Sequence, residues 1–399
     1  MKIVLLNRYF YPDHSATSQI LTDLAFHLAE QGREVHVVTS RQRYDEPAAR
    51  LASREFVRGV NVHRVWTSTF GRGNLFGRAF DYLTFYLFTG LALLRLARRG
   101  DIVVAKTDPP LLSLVASPVA RLKGARLVNW LQDLFPEVAG AVGMSWVKGR
   151  IGRLLGAMRD RTLHSSYATV VTGTRMKHYL ASRGVPENKL WVIHNWADGA
   201  LTRPINPEDN ALRRQWRLDR KFVVGYSGNM GRVHEFETIL GAMEALKDDG
   251  GTVFLFIGGG AQRPWLEAQA RERGLSNVRF MPYQPRERLA ESLSVPDVHL
   301  ISLLPEVEGF VVPSKFYGIA AAGRPSIFVG STEGEIAGLI NEFKCGTVVR
   351  TGDVEGLSAA IARFRDESAL RQEYGRNART IFEQKFHKHI ALAAWSAVL

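Results

Sequence analysis

Short apolar runs, bounded by polar residues or by glycine and proline, recur along the whole chain. Ile3–Leu6, Glu34–Thr39, Val60–Val65, Asp101–Lys106, Arg126–Leu131, Tyr167–Thr172 and Leu190–Ile193 read as strands. Longer segments of helical spacing lie between most of them, and Ser18–Gln31, closed by Gly32, is the clearest. Buried strands alternating with helices predict a parallel, doubly wound sheet. The pattern then restarts. Lys221–Ser227, Thr252–Ile257, Val278–Met281, Val298–Ser302 and Ser326–Val329 read as strands, with helices at Phe236–Leu246, Pro264–Arg273 and Pro285–Leu293. The predicted fold is α/β, with two Rossmann-like doubly wound domains facing across a cleft. Asp198–Pro207, rich in Asp, Gly, Asn and Pro, reads as the linker. The expected domains are residues 1–200 and 201–380, with a C-terminal helix over 381–399 crossing back to the first. That helix is read as the end of one long segment, about Glu367–Leu399.

Ala79–Ala97 stands apart. It is apolar and aromatic almost throughout, and Arg72, Arg78, Arg95, Arg98 and Arg99 lie at or near its ends. Asp81 and Arg95 inside it argue against a spanning helix. Aromatic residues between arginines suit a helix lying in a membrane interface, and the competing reading is a helix half-buried on the sheet.

Composition narrows the picture. The chain has 399 residues, 46% apolar and 23% charged, which fits a globular protein of about two domains. The single cysteine, Cys345, allows no intrachain disulfide and points to a reducing compartment. The opening Met1–Arg8 turns polar too soon for a signal peptide and reads as the first strand. Net charge is +13, and the excess lies in the first half: residues 1–200 hold 27 Lys and Arg against 15 Asp and Glu. A basic half suits an anionic membrane or a phosphorylated substrate. Nucleic acid is disfavoured, because no basic helix or aromatic-basic module appears.

The chemistry-bearing residues cluster where strands should end. Gly228-Asn229-Met230-Gly231-Arg232 is a glycine-rich turn from strand to helix. Its N–H groups can approach a phosphate that Arg232 would neutralise, although many strand-to-helix turns carry glycine. Gly258-Gly259-Gly260 reads equally as an approach for a base or ribose and as a simple helix-entry turn, and Tyr283 is positioned to bracket a base. Glu308 and Lys315 share a Gly/Pro-framed loop with Val312, Pro313 and Ser314, which reads equally as an anion loop and as ordinary packing. In the first half, Ser15, Ala16 and Thr17 open a helix, where hydroxyls either cap it or hold a phosphate. Asp133 and Glu137 follow a strand and are acid–base or sugar-hydroxyl candidates. No Asp-x-Asp pair, Walker motif, G-x-S-x-G or H-E-x-x-H occurs, so no metal ligand is assigned.

In order, Asn7–Gln19, Trp130–Glu137, Val192–Asp198, Tyr226–Arg232 and Pro313–Pro325 resemble the motifs of GT-B fold glycosyltransferases of family 4. The nearer likeness is to bacterial enzymes of colanic-acid, O-antigen and capsule synthesis. The resemblance implies a nucleotide-sugar donor, expected to be a UDP-sugar, in the second domain. Its site would comprise Gly228, Asn229, Gly231, Arg232, Gly259, Gly260, Tyr283, Val312, Pro313, Ser314 and Lys315. It implies an acceptor in the first domain, at Ser15, Ala16, Thr17, Asp133 and Glu137. The implied catalytic residues are Asp133, Arg232, Lys315 and Glu308. Retention of anomeric configuration, and no metal or other cofactor, are implied as well.

The second glutamate of the family motif would fall at Phe316 or Gly318, neither acidic, and Glu335 in the next loop is the replacement considered. The expected partners are the donor, a polyprenyl-diphosphate-linked saccharide and an anionic membrane surface. The expected location is the cytoplasmic face of the cell membrane, peripheral or monotopic. A GDP-sugar donor, a soluble acceptor, and a non-catalytic partner of a polysaccharide assembly complex are the alternatives.

Overall fold

The structure is a computed structural model that describes residues 1–44, 46, 49–70 and 75–399, without the side chain of Leu75. Arg72 lies outside the described residues. The chain forms two compact units, one of Met1–His194 with Leu392–Leu399 and the other of Asn195–Ala391.

The first unit holds strands β1 (Lys2–Leu6), β2 (Glu34–Ser40), β3 (Arg54–Val57), β4 (Val60–Val65), β5 (Ile102–Lys106), β6 (Arg126–Leu131), β7 (Ala168–Val171) and β8 (Leu190–Val192). Their order across the sheet is β3-β4-β2-β1-β5-β6-β7-β8. All pairs are parallel except β3 with β4. The sequence pattern missed β3, because this edge strand is mostly exposed and carries no apolar alternation. It is turned back by Arg58 and Gly59, both at positive φ. The helices are α1 (Ala16–Glu30), α2 (Leu75–Leu96), α3 (Ser113–Lys123), α4 (Glu137–Ala141), α5 (Arg150–Ser165) and α6 (Thr174–Ser182). Val4, Leu6, Val38, Val103 and Ala105 point from the sheet into a core closed by Phe85 and Leu93 of α2 and by Ala116 and Ala120 of α3.

The second unit holds β9 (Phe222–Ser227), β10 (Thr252–Ile257), β11 (Val278–Met281), β12 (Val298–Ser302), β13 (Ser326–Val329) and β14 (Gly346–Val349). They form a parallel sheet in the order β11-β10-β9-β12-β13-β14. Its helices are α7 (Ala211–Gln215), α8 (Glu237–Ala245), α9 (Arg263–Glu272), α10 (Leu289–Ser294), α11 (Lys315–Ala321), α12 (Glu335–Phe343), α13 (Val354–Asp366) and α14 (Ser368–Ile381), followed by α15 (Lys388–Val398). The strand order reverses between β9 and β12, and in the first unit between β1 and β5. Such reversals leave a crevice beyond the strand carboxyl ends, where ligands bind in sheets of this kind.

Two predicted helices need correction. Pro285–Leu293 begins as a 3-10 turn, Arg286–Arg288, before α10. The expected single helix to Leu399 is broken: Phe382–Phe386 is a π turn, and His387 is extended at φ −67°, ψ 140°. The cause is tertiary. Ala197 N–H donates to Phe386 O at 3.3 Å, and Lys388 N–H donates back to Ala197 O at 3.0 Å. Lys388 also pairs with Asp198. Backbone pairing with the incoming linker outweighs the helical preference of the segment.

Candidate active site

At the carboxyl ends of β9 and β12, two glycine loops brace one another. Gly228 N–H donates to Ile257 O at 2.8 Å, and Met230 N–H donates to Gly259 O at 2.7 Å. Gly258 and Gly260 lie at φ +138° and +135°, where a side chain would be strained. A Cβ on Gly258 would sit 2.2 Å from Gly228 O, and one on Gly260 would sit 2.6 Å from Met230 N. These glycines therefore make room for the neighbouring loop. Gly259 differs: a Cβ there would come within 3.3 Å of the exposed Tyr283 ring. Tyr283 thus lies against the Gly258–Gly259 backbone with ring surface open to solvent. Gln262, which sequence reasoning missed, tethers the first loop by donating to Gly231 O at 2.7 Å and His234 O at 2.8 Å.

Lys315, the first residue of α11, reaches back over this loop. Its Nζ lies 3.6 Å from the centroid of the Tyr226 ring. The Nζ is buried without a hydrogen-bond partner. Burial pulls its pKa well below the ordinary lysine value. Tyr226 also donates from its hydroxyl to Asn229 O at 3.2 Å, so one ring carries both the lysine and the loop. Tyr226 was missed too, because a tyrosine near the end of an apolar strand reads as core. His234 Nδ1 lies 2.6 Å from Ser302 O, and burial depresses its pKa to about 3, so the ring is neutral. Arg232 is exposed at the rim. The local positive charge therefore rests on Lys315 and Arg232.

Glu308 is held by backbone groups of two loops. Its Oε1 accepts from Glu335 N–H at 2.9 Å and Gly309 N–H at 3.3 Å, and a Cβ on Gly334 would approach Oε2 to 2.5 Å. The carboxylate thus lies at the N-terminus of α12, where the helix dipole favours it, and joins two loops. The two positions where the second glutamate would fall make packing contacts instead. Phe316 is buried against Phe386, and a Cβ on Gly318 would meet Leu293 Cδ1 of α10 at 3.4 Å. Glu335 remains at this edge, buried as the first residue of α12. Val312 and Pro313 are buried, and Ser314 is exposed beside Lys315.

In the first unit, Asp13 organises the predicted acceptor loop. Its Oδ1 accepts from Ser15 N–H at 2.8 Å and Ser15 Oγ at 2.6 Å, and Oδ2 accepts from Tyr44 N–H. Ser15 is the N-cap of α1 without a side-chain capping bond, and Ala16 begins the helix. Thr17 is joined to β5: its carbonyl accepts from Lys106 Nζ at 2.7 Å, and its Oγ1 lies 3.4 Å from Asp108 Oδ2. Lys106, fully buried, lies 4.0 Å from the centroid of Trp130. Asp133 stands beyond β6, near both. Burial first, and repulsion from Asp108 second, raise its pKa to about 6. That places a carboxyl near neutrality, suited to exchanging a proton with a hydroxyl.

Glu137 is not available in the same way. Arg159 grips both its oxygens, and Tyr179 donates to Oε1 at 2.8 Å, so it ties α4, α5 and α6 together. Lys106 and Asp108 were overlooked by sequence reasoning, although a lysine closing an apolar strand before Thr-Asp-Pro was the available signal.

Two parallel sheets in series, with a buried cation and paired glycine loops beyond the strand ends of the second, have the architecture of GT-B glycosyltransferases. Sucrose-phosphate synthase from Thermosynechococcus elongatus superposes with a TM-score of 0.79 at 18% identity, covering 100% of this chain and 98% of that one. HepE from Anabaena in complex with UDP-glucose superposes at 0.73 and 14% identity, covering 100% of both chains. At such identities the likeness is one of fold. Residues 16–196 match the glycosyl transferase 4-like domain, and residues 208–381 match the glycosyl transferases group 1 family. The glycosyl transferase WcaI of Escherichia coli (strain K12), named for colanic acid biosynthesis, is 25% identical over 372 residues, covering 90% of this chain and 91% of its own. The chain belongs to this glycosyltransferase family and is an enzyme of that class.

Proposed function

We propose that the enzyme moves a sugar from a nucleotide-sugar, a UDP-sugar, to a polyprenyl-diphosphate-linked saccharide during synthesis of a bacterial surface polysaccharide. The observation that carries the donor half is Lys315: an unpartnered, buried ammonium beside the glycine loop is a cation lacking its anion. A donor diphosphate fits that vacancy of charge. Lys315 and Arg232 would stabilise the negative charge that develops as the sugar leaves, a task that requires no metal in this reading. Tyr283 offers a ring face to the base, Gly228, Asn229 and Gly231 offer backbone to the phosphates, and Glu335 is the carboxylate left to hold the ribose. Asp133, beside the Lys106 that holds Thr17, would receive the acceptor hydroxyl, with Ser15 at the start of the same helix as Thr17, and transfer proceeds with retention. The relative named for colanic acid biosynthesis and the neighbour holding UDP-glucose support the pathway and the donor.

Helix α2 supports work at the cytoplasmic membrane face. Its inner side packs on the sheet through Phe85 and Leu93, and Asp81 pairs with Arg8 at 3.7 Å. Its outer side exposes Phe76, Phe80, Leu83, Leu87 and Leu91 at helical spacing. The two readings of this helix thus apply to opposite sides of it. By length and composition Phe76–Leu96, with mean hydropathy 1.2, reaches the range of a spanning segment. The packed inner side instead suits an interfacial helix.

The test is a thermal-shift panel of UDP, GDP, dTDP and CMP, followed by transfer assays with the selected donor. A selective UDP shift is expected, with activity unaffected by EDTA. Lys315→Ala is expected to lower kcat by about 10²-fold or more while keeping the fold. Near-normal turnover in that variant would remove its diphosphate role.

A further inference from the structure

The sequence pattern singled out α2 alone, but the structure sets it in a layer. Helix α2 packs beside α3, and α3 packs beside α5. Helix α5 has its own split character. Its inner side is bound by charge: Arg159 pairs with Glu137, and Asp160 pairs with Arg183 at 2.8 Å. Its outer side exposes Ile151 at 53%, Leu154 at 61% and Met158 at 42%, spaced i, i+3, i+7. Leu122, at the end of α3, is 75% exposed between the two. Apolar side chains are thus open on all three neighbouring helices.

The charges on the same helices have one sign. Arg150, Arg153 and Arg161 are exposed on α5, Arg121 on α3, and Arg78 and Arg95 on α2. The only acids on the three helices are Asp81 and Asp160, and both are buried in ion pairs. Arginines around exposed aliphatic residues complement a surface that is anionic at its face and apolar beneath, which is the layering of a membrane interface. A second copy of the chain is a poor occupant, because a twofold contact through this face would set arginine against arginine.

We infer that α5 is a second membrane anchor, and that α2, α3 and α5 form one continuous footprint for an anionic lipid surface. This rests on the membrane reading of α2 and extends it to residues that reading does not use. The footprint lies wholly on one unit, so its engagement does not depend on the donor site.

Flotation of the full chain with vesicles tests it, using phosphatidylcholine alone and with about 30% phosphatidylglycerol. Wild type is expected to float with the anionic vesicles only, and less as salt is raised. The triple variant Ile151→Ser, Leu154→Ser, Met158→Ser is expected to bind those vesicles roughly tenfold or more weakly, with an unchanged melting temperature because all three side chains are exposed. Arg150→Glu with Arg153→Glu is expected to do the same without altering apolar area. The inference is overturned if both α5 variants float as wild type while Phe80→Ser, Leu83→Ser, Leu87→Ser is released, which would leave α2 as the sole anchor. It is also overturned if light scattering shows a dimer that the α5 substitutions dissociate. Wild type that floats with neither vesicle would instead defeat the membrane reading as a whole.

Discussion

An ammonium held against an aromatic ring, with no acceptor, is under tension between solvation and geometry. Lys315 is in that position, and its folded pKa lies below the unfolded value. Between those two pKa values the unfolded chain holds the proton and the folded chain does not. Stability therefore rises with pH across that window, and the Lys315→Met protein should lose this dependence. The groups facing Lys315 do not offset the shift: His234 and His299 are neutral, with pKa values near 3 and 4, and Tyr226 presents its ring. An anion bound beside it would raise that pKa again. Binding of a nucleoside diphosphate should then take up protons at a pH between the lowered folded value and the ordinary lysine value, read by calorimetry in buffers of different ionisation enthalpy. Normal binding with no uptake anywhere in that window would contradict a lysine whose proton burial has loosened.

Asp133 carries the opposite sign. Its pKa is raised from 3.8 to about 6, so the folded state holds the proton more tightly and stability falls as pH rises through that range. Asp133→Asn should abolish that fall. If the carboxylate receives the acceptor hydroxyl, the same variant should also flatten the acid limb of the rate profile near pH 6. A limb that survives the substitution would reassign it to another group.

At the scale of elements, the glycines divide by what they face. Gly258→Ala would drive a methyl against Gly228 O at a backbone angle unsuited to it, and is expected to cost roughly 1–3 kcal/mol in denaturant unfolding and to weaken nucleotide binding. Gly259→Ala, facing only the mobile edge of a side chain, should be milder. Equal effects would mean that the loops do not brace each other as described.

The sequence located most strands closely, because short apolar-rich segments between turn residues mark them whether fully or half buried: β4, β6, β10, β11, β12 and β13 match their predicted limits. It also located the loops that hold Lys315, Asp133 and the glycines. It did not locate what those residues touch. Tyr226 beneath Lys315, Gln262 behind the Gly228–Gly231 loop and Arg159 on Glu137 are long-range partners, and neither periodicity nor spacing carries that information. Glu308 shows the same limit, since a motif position does not reveal that the carboxylate is engaged by the N-terminus of α12.

At the scale of the molecule, net charge and apolar exposure are concentrated on the first unit, and the paired glycine loops with Lys315 lie on the second. The chain passes between the units twice, once at His194–Asn195 and again at Ala391–Leu392. The second passage lies within α15, a few residues after the final helical segment breaks. At that break, Ala197 of the outgoing segment is paired with Phe386 and Lys388 of the returning one. Beyond it, Trp395 is fully buried, its ring 4.5 Å from that of Trp130 in the first unit. The last turns of the chain are therefore part of the first unit, although the residues just before them belong to the second. A single protease cut in the exposed stretch near Leu201 or Arg203 should give two bands on a denaturing gel but one peak in gel filtration. Removal of the residues after His387 should instead leave the Trp130 surface bare, and aggregation is the expected outcome. Covalent continuity at the linker is thus not what keeps the final turns on the first unit; Trp395, buried against Trp130, is the contact that holds them there.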